Sequence, residues 1–254
     1  QCGIRSINNV VDISNYVLLE LGHPLHIFDL NLLASKTLNI RLANNGETIT
    51  TLDGEKRILS EHNLIISDTK NPVALAGIIG GENTEVNEAT TDILIECAYF
   101  NPITIRRGTK DFGISTEASK RFERGVDHND MHAVLDRTAK LILEVASGEC
   151  CVDVLDCYEK EIKTTEITFL SSKTNKVLGV DLNNEFISLT LNNLGIEHSI
   201  SDNSYICSIP TYRPDLERPI DIIEELGRVY GFDRIKSKNS YVGNLASVKK
   251  DDDI

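Results

Sequence analysis

The chain has 254 residues and a mass of 28.2 kDa, room for one large domain or two smaller ones. Hydrophobic residues make up 41% and charged residues 26%, the composition of a soluble globular protein long enough to bury a core. The balance of 26 basic against 39 acidic residues gives −13, which excludes a general nucleic-acid binder held by a basic field and leaves only local, geometric contact with RNA.

No apolar run approaches the roughly 18–20 residues needed to span a bilayer, and no signal segment opens the chain. The first residue is Gln1, so the sequence reads as an excised piece of a longer protein. Its six cysteines (Cys2, Cys97, Cys150, Cys151, Cys157, Cys207) include no Cys-x-x-Cys pair. Their scatter predicts reduced thiols in a cytoplasmic protein rather than a disulfide frame or a zinc site.

Taken in order, Ser6 to Leu21 carries apolar residues at helical spacing, with Ser6 as N-cap and Gly22 as the stop. The following stretch, Gly22 to Asp29, reads as a loop presenting His23 and His26, either as functional imidazoles or as solvated or capping residues. The period then changes. Leu38 to Leu42 alternates, Ile49 to Leu52 leads into an Asp53-Gly54 turn, and Asn63 to Ile66 follows. Val73 to Ile79 and Asp92 to Cys97 read as strands covered on both faces. A second amphipathic helix is predicted from Asp130 to Ser147, ending at Gly148. Helices before and after a group of strands give an α+β domain over residues 1–158.

Glu159 to Thr165 is charged and lacks large apolar anchors, as a linker does. Beyond it, residues 164–236 predict a second, smaller α+β domain. Its elements are a strand at Ile167–Leu170, helices at Ser171–Leu178 and Asn184–Leu194, a strand at Ser204–Ile209, and a helix opened by Pro219 and stopped by Gly231. The polar segment 237–254, ending in three aspartates before Ile254, reads as a linker or tail.

Self-sufficient catalytic motifs are missing: no Gly-x-x-x-x-Gly-Lys, Gly-x-Gly-x-x-Gly, His-Glu-x-x-His or Gly-x-Ser-x-Gly occurs. Four subtler features remain. The Gly80-Gly81 turn leaves backbone N–H groups uncovered, suited either to close ligand approach or to a tight turn between strands. Glu96 interrupts an otherwise apolar strand, and its carboxylate either faces solvent or is buried and demands a partner. Arg106, Arg107, Lys110, Lys120, Arg121 and Arg124, against Asp111, Glu117 and Glu123, make residues 101–125 a basic island, either a solvated face or a guide for a phosphate backbone. Asp221, Glu224 and Glu225 share a helix face with Asp215 just ahead, either a solvated helix start or ligands for a hard divalent cation.

Several strings together resemble one family. Arg5 to Asp12, Asn15-Tyr16-Val17-Leu18, Gly22-x-Pro24-Leu25-His26-x-Phe28-Asp29, Gly80-Gly81-Glu82 and Thr116-Glu117-Ala118-Ser119-x-Arg121 to Asp127 are similar to the B3/B4 editing module of bacterial phenylalanyl-tRNA synthetase β subunits. Pro210 to Asp215 and Asp221 to Asp233 resemble the B5 module that follows it. The resemblance implies a mixed-sheet B3/B4 domain and a winged-helix-like B5 domain. It implies hydrolysis of mischarged Tyr-tRNA(Phe), with His26, Glu96, Arg5 and Thr116 at the reacting centre and Gly80, Gly81 and Ala118 shaping the pocket. It further implies a Mg²⁺ ion on Asp215, Asp221, Glu224 and Glu225, shared with an α subunit, and ATP use by the whole α2β2 enzyme only. The partners implied are that α subunit and tRNA(Phe), with no membrane. A non-catalytic docking module for the α subunit and tRNA is the alternative. Departures from the family pattern stand at His23, Ile27, Lys110-Asp111 and His128.

Overall fold

A computed structural model describes residues 3–158 and 160–236. It divides into two compact units, the first comprising residues 1–163 with Pro210–Asp215, the second 164–209 with 216–254. The break near residue 164 lies where the sequence places its linker, but Pro210–Asp215, expected in the second domain, is grouped with the first.

In the first unit, helix α1 (Asn9–Leu21) starts later than expected. Asn8 rather than Ser6 is its N-cap, accepting from the Val11 N–H at 2.9 Å, while the Ser6 hydroxyl donates to the Asp12 carboxylate. Gly22, at φ 76°, closes the helix as predicted. The expected loop behind it is a strand, β1 (Leu25–Asp29). The breakers Gly22 and Pro24 mask it in the sequence, and only five residues carry its alternation.

Strands β2 (Asn39–Leu42), β3 (Thr48–Thr50), β4 (Lys56–Ile58), β5 (Leu64–Ser67), β6 (Pro72–Leu75), β7 (Ile79–Gly80) and β8 (Ile93–Cys97) follow. They form a four-stranded sheet ordered β2-β5-β6-β7, a β3–β4 hairpin around the predicted Asp53-Gly54 turn, and a β1–β8 ribbon. Among the described residues every strand pairing of this unit is antiparallel, where a mixed sheet was expected. The run Val73–Ile79 is not one strand either. Gly77, at φ 66°, turns the chain between β6 and β7, with the Ile78 N–H donating to the Leu75 carbonyl at 2.9 Å.

Two helices occupy the basic island, where only charge was read. Helix α2 (Pro102–Phe112) is capped by Asn101 with Pro102 at its first position, and α3 (Glu117–Phe122) opens on a Thr116/Ser119 capping box. Helix α4 (Met131–Ala146) matches its predicted span and buries Val134, Thr138 and Ile142.

The β1–β8 ribbon stands between two apolar clusters. Leu25, Ile27, Ile93, Ile95 and Cys97 pack with Ile13 and Val17 of α1 and Val134 and Ile142 of α4. On the ribbon's other face, Phe28 and Leu94 join the larger core built on Ile65, Ile66, Val73, Leu75, Ile105 and Phe122.

The second unit has β9 (Glu166–Leu170), α5 (Ser171–Leu178), α6 (Asn184–Asn193), β10 (Glu197–Ser201), β11 (Ser204–Ser208) and α7 (Pro219–Tyr230). Its antiparallel sheet runs β10-β11-β9 beside three helices, a winged-helix-like arrangement. Strand β10 was not predicted, because Glu-His-Ser-Ile-Ser shows no apolar face. Asp202 and Asn203, both at positive φ, turn it into β11 as a two-residue hairpin requires. Phe169 and Tyr205, opposed across β9 and β11, stack at 5.0 Å inside a core shared with Ile187, Leu191, Ile222 and Leu226. The predicted tail, 237–254, lies outside the described residues. Cys97, Cys150, Cys151, Cys157 and Cys207 are free thiols.

Candidate functional site

Strand alternation places His26 and Phe28 on one face of β1 and Leu94 and Glu96 on the same face of β8. The antiparallel register sets His26 directly opposite Glu96, and Phe28 opposite Leu94. His26 and Glu96 thus bring an imidazole and a carboxyl to one wall of a cavity of about 60 Å³. Gly80 of β7, Leu75 of β6, and Ala118 and Phe122 of α3 complete the part of that wall that matters chemically.

Gly80 is there because nothing larger fits. A Cβ at this position would stand 2.8 Å from Nε2 of His26 and 3.1 Å from Cδ1 of Leu52. The Leu52 N–H donates to the Gly80 carbonyl at 3.0 Å and fixes the approach. Gly81 is not on the cavity wall. Its N–H donates to the Val73 carbonyl at 2.7 Å, and a Cβ would lie 2.7 Å from that carbonyl oxygen. It is a close-packed, extended backbone position bridged to Thr51, rather than the tight turn that the sequence offered as the structural alternative.

Both facing groups keep some accessible surface, yet their ionisable ends lie deep among protein atoms. Desolvation drives the His26 imidazole down to about 4 and pushes the Glu96 carboxyl up to about 8. At neutral pH desolvation therefore favours the neutral form of each group. No described residue hydrogen-bonds either side chain, so both polar ends are free for water or ligand. Glu96 has neither of its two simple fates: it is not turned to bulk solvent, and no cation among the described residues pairs with it.

The other predicted residues fall elsewhere. Thr116 does not touch the cavity: its hydroxyl donates to the Ile78 carbonyl at 2.8 Å and accepts from the Ser119 N–H at 3.0 Å. It docks the start of α3 on the β6–β7 turn and thereby places Ala118. Arg5 is exposed ahead of α1 and is not part of the cavity wall. Of the basic island, Lys120 and Arg121 pair with Glu117, and Arg106 donates to the Glu123 carbonyl. Arg107, Lys110 and Arg124 are exposed. Sequence reading missed Phe28, Leu75 and Phe122 as surroundings of the site. The His26-x-Phe28 alternation was the available signal for the first.

Of the four carboxylates expected to hold Mg²⁺, three are engaged locally. Asp221 accepts from the backbone N–H groups of Arg218 and Glu217 at 2.8 and 3.1 Å and pairs with the Arg218 guanidinium, which holds its carboxyl below the ordinary range. Glu225 pairs with Arg228, Asp215 with Arg213, and Glu224 is exposed. Among the described residues no group of three or more His, Cys, Asp or Glu is arranged to hold a metal ion. These side chains do not by themselves fit a bound Mg²⁺. Asp221 serves instead to cap α7.

These units are recognisable as modules. Residues 1–147 match the B3/4 domain family model and residues 167–232 the tRNA synthetase B5 domain. The chain belongs to the B3/4 domain family, with a B5 domain following.

Its relatives narrow the family. It is 47% identical to the phenylalanine–tRNA ligase beta subunit of Geobacter sulfurreducens, over 92% of this chain and 30% of that protein. The corresponding subunits of Protochlamydia amoebophila and Thermotoga maritima are 44% and 42% identical, over 92% and 93% of this chain and 29% and 30% of theirs. The chain spans about 30% of the length of these relatives. The crystal structure of an N-terminal fragment of the phenylalanyl-tRNA synthetase beta subunit from Pyrococcus horikoshii is similar over 87% of this chain and 65% of that one. At 16% identity and a TM-score of 0.41, that likeness carries no argument. No helix among the described residues is long and apolar enough to cross a membrane.

Proposed function

We propose that the first unit is the editing site of a phenylalanine–tRNA ligase β subunit, hydrolysing the ester of mischarged Tyr-tRNA(Phe). The observation that carries this reading is the single cavity lined by His26, Glu96 and Gly80, with the imidazole and the carboxyl opposed on adjacent strands.

A hydrophobic synthetic site cannot strongly reject an isostere that merely adds a hydroxyl, so a second site that bonds that hydroxyl has a purpose. The phenol of tyrosine meets Glu96. In its protonated form the carboxyl accepts through its carbonyl oxygen and donates through its O–H, satisfying both lone pair and proton of the phenol. Phenylalanine brings a C–H to the same place and leaves the carboxyl unpaired, at a cost of about 1–3 kcal/mol. Neutral His26 retains a basic ring nitrogen with which to orient a water toward the ester carbonyl. Hydrolysis of an activated aminoacyl ester needs no covalent nucleophile, in keeping with a wall that offers none.

In this reading the chain works with an α subunit as part of an α2β2 heterotetramer and with tRNA(Phe), in the cytoplasm, in support of translation fidelity. ATP is used in the whole enzyme and not by these residues. A Mg²⁺ ion at the B5 carboxylates would draw its further ligands from the α subunit. Deacylation of Tyr-tRNA(Phe) by this chain, beside Phe-tRNA(Phe) as control, tests the proposal. Selective loss of the tyrosyl ester is expected; absence of hydrolysis would leave a docking module for the α subunit and tRNA.

A further inference from the structure

A histidine that orients water must itself be oriented, and the usual device is a hydrogen bond from one ring nitrogen to a carboxylate or carbonyl. His26 has no such bond to any described residue. Two apolar contacts confine its ring instead. On one side lies Gly80, so near that a Cβ there would come within 2.8 Å of Nε2. Phe28 is the second neighbour, its ring meeting the imidazole edge to face, centroids 4.4 Å apart and planes at 80°.

Phe28 is itself closely packed. It is fully buried, belongs to the larger core and is flanked across the ribbon by Leu94. It does not line the cavity, so it touches neither water nor substrate there. A T-shaped contact with a fully buried ring restrains the tilt of its neighbour and keeps water from that face.

We infer that Phe28 is a positioning residue for His26, holding the imidazole against Gly80 by packing alone so that both ring nitrogens stay available at the cavity. This inference rests on the proposed editing reading for its catalytic consequence but not for its structural one. The absence of a hydrogen-bonded partner is what makes the aromatic contact decisive. Where a carboxylate anchors a catalytic histidine, loss of a neighbouring ring only enlarges a void. Here it frees the side chain to rotate out of line, and a misplacement near 1 Å can cost up to about a hundredfold in rate.

The test compares Phe28→Leu with Leu59→Ala in this chain, Leu59 being fully buried in the same core but outside both ribbon strands and off the cavity wall. Three quantities are read for each: thermal stability, kcat and KM for Tyr-tRNA(Phe) hydrolysis, and the His26 ring titration by NMR without substrate. Both variants should lose stability. Phe28→Leu should lower kcat about tenfold with KM within twofold, and its imidazole should titrate nearer the ordinary histidine value as water reaches the ring. Leu59→Ala should leave kcat and the titration unchanged. Equal loss of kcat in the two variants, or an unmoved titration in Phe28→Leu, overturns the inference. If the unaltered chain does not hydrolyse Tyr-tRNA(Phe), the editing reading fails. The titration then decides alone, a shift supporting the positioning role and its absence refuting it.

Discussion

His26 and Glu96 are cross-strand partners, one rung of a two-stranded ribbon, and both point into the same cavity. A group suited to orienting water and a group suited to recognising a hydroxyl are thus held at a separation set by the ladder itself. Side-chain ends of such a pair stand within reach of a single bound amino acid.

Glu96→Ala should weaken the preference for Tyr-tRNA(Phe) over Phe-tRNA(Phe). Loss of one satisfied buried hydrogen bond is worth about 1–3 kcal/mol, a factor of about 5 to 150 in selectivity. Competitive deacylation of the two esters measures it, and unchanged selectivity would falsify the assignment of Glu96.

Stability should depend on pH with two opposed limbs. Glu96 titrates near 8 when folded against an ordinary 4.5, so the folded chain keeps a proton that the unfolded chain gives up. That part of the stability is lost as pH rises from about 4.5 to about 8. His26 titrates near 4 when folded against an ordinary 6.5, so the unfolded chain takes up a proton that the folded chain refuses. Stability therefore also falls as pH drops from about 6.5 to about 4. Glu96→Gln should flatten the alkaline limb and raise the melting temperature at pH 8.5 relative to the unaltered chain, with little change at pH 4. Melting curves across pH 4–9 settle this, and an unchanged alkaline limb in Glu96→Gln would count against a buried carboxyl.

Gly80→Ala should abolish or strongly reduce hydrolysis while the chain still folds. The added methyl must displace the imidazole or Leu52, an overpacking cost of about 1–3 kcal/mol. Circular dichroism and the deacylation rate together report the two halves of the prediction. Full activity would mean that the ring does not sit against this strand in solution.

Thr116→Ala should cost about 0.5–2 kcal/mol of stability through loss of the α3 cap. It also removes the bond to the Ile78 carbonyl, so α3 and Ala118 should drift and hydrolysis fall. Thr116→Ser, which keeps the hydroxyl, should restore both. A rate loss that serine does not rescue would point to a direct role for the threonine methyl at the substrate.

Much of the fold could be read from the residues where local chemistry is explicit. Gly22, Pro219 and Gly231 mark helix ends at their observed places, and the repeat of apolar residues gives α4 nearly to the residue. Other elements were hidden for physical reasons. In β1, five residues between breakers are too few to show a period, and in β10 both faces are polar at the ends of a small sheet. In α2 and α3 the cations draw the eye from Ile105 and Phe122, which bury the inner faces. The site divides the same way. His26, Glu96, Gly80 and Ala118 could be named from resemblance, because they carry chemistry or a size limit. Thr116 and Gly81 carry structure instead, and the packing role of Phe28 depends on which strand pairs with which, a long-range fact that no local window contains.

The β1–β8 ribbon is a party wall: Ile27 and Ile95, which alternate with His26 and Glu96, belong to a different room, furnished by α1 and α4. Trimming or enlarging Ile27 or Ile95 would shift the wall without altering anything inside the chamber where the ester is expected to sit. Variants with altered amino-acid preference should therefore turn up behind the ribbon as well as around the cavity, at positions that a survey of lining residues would pass over.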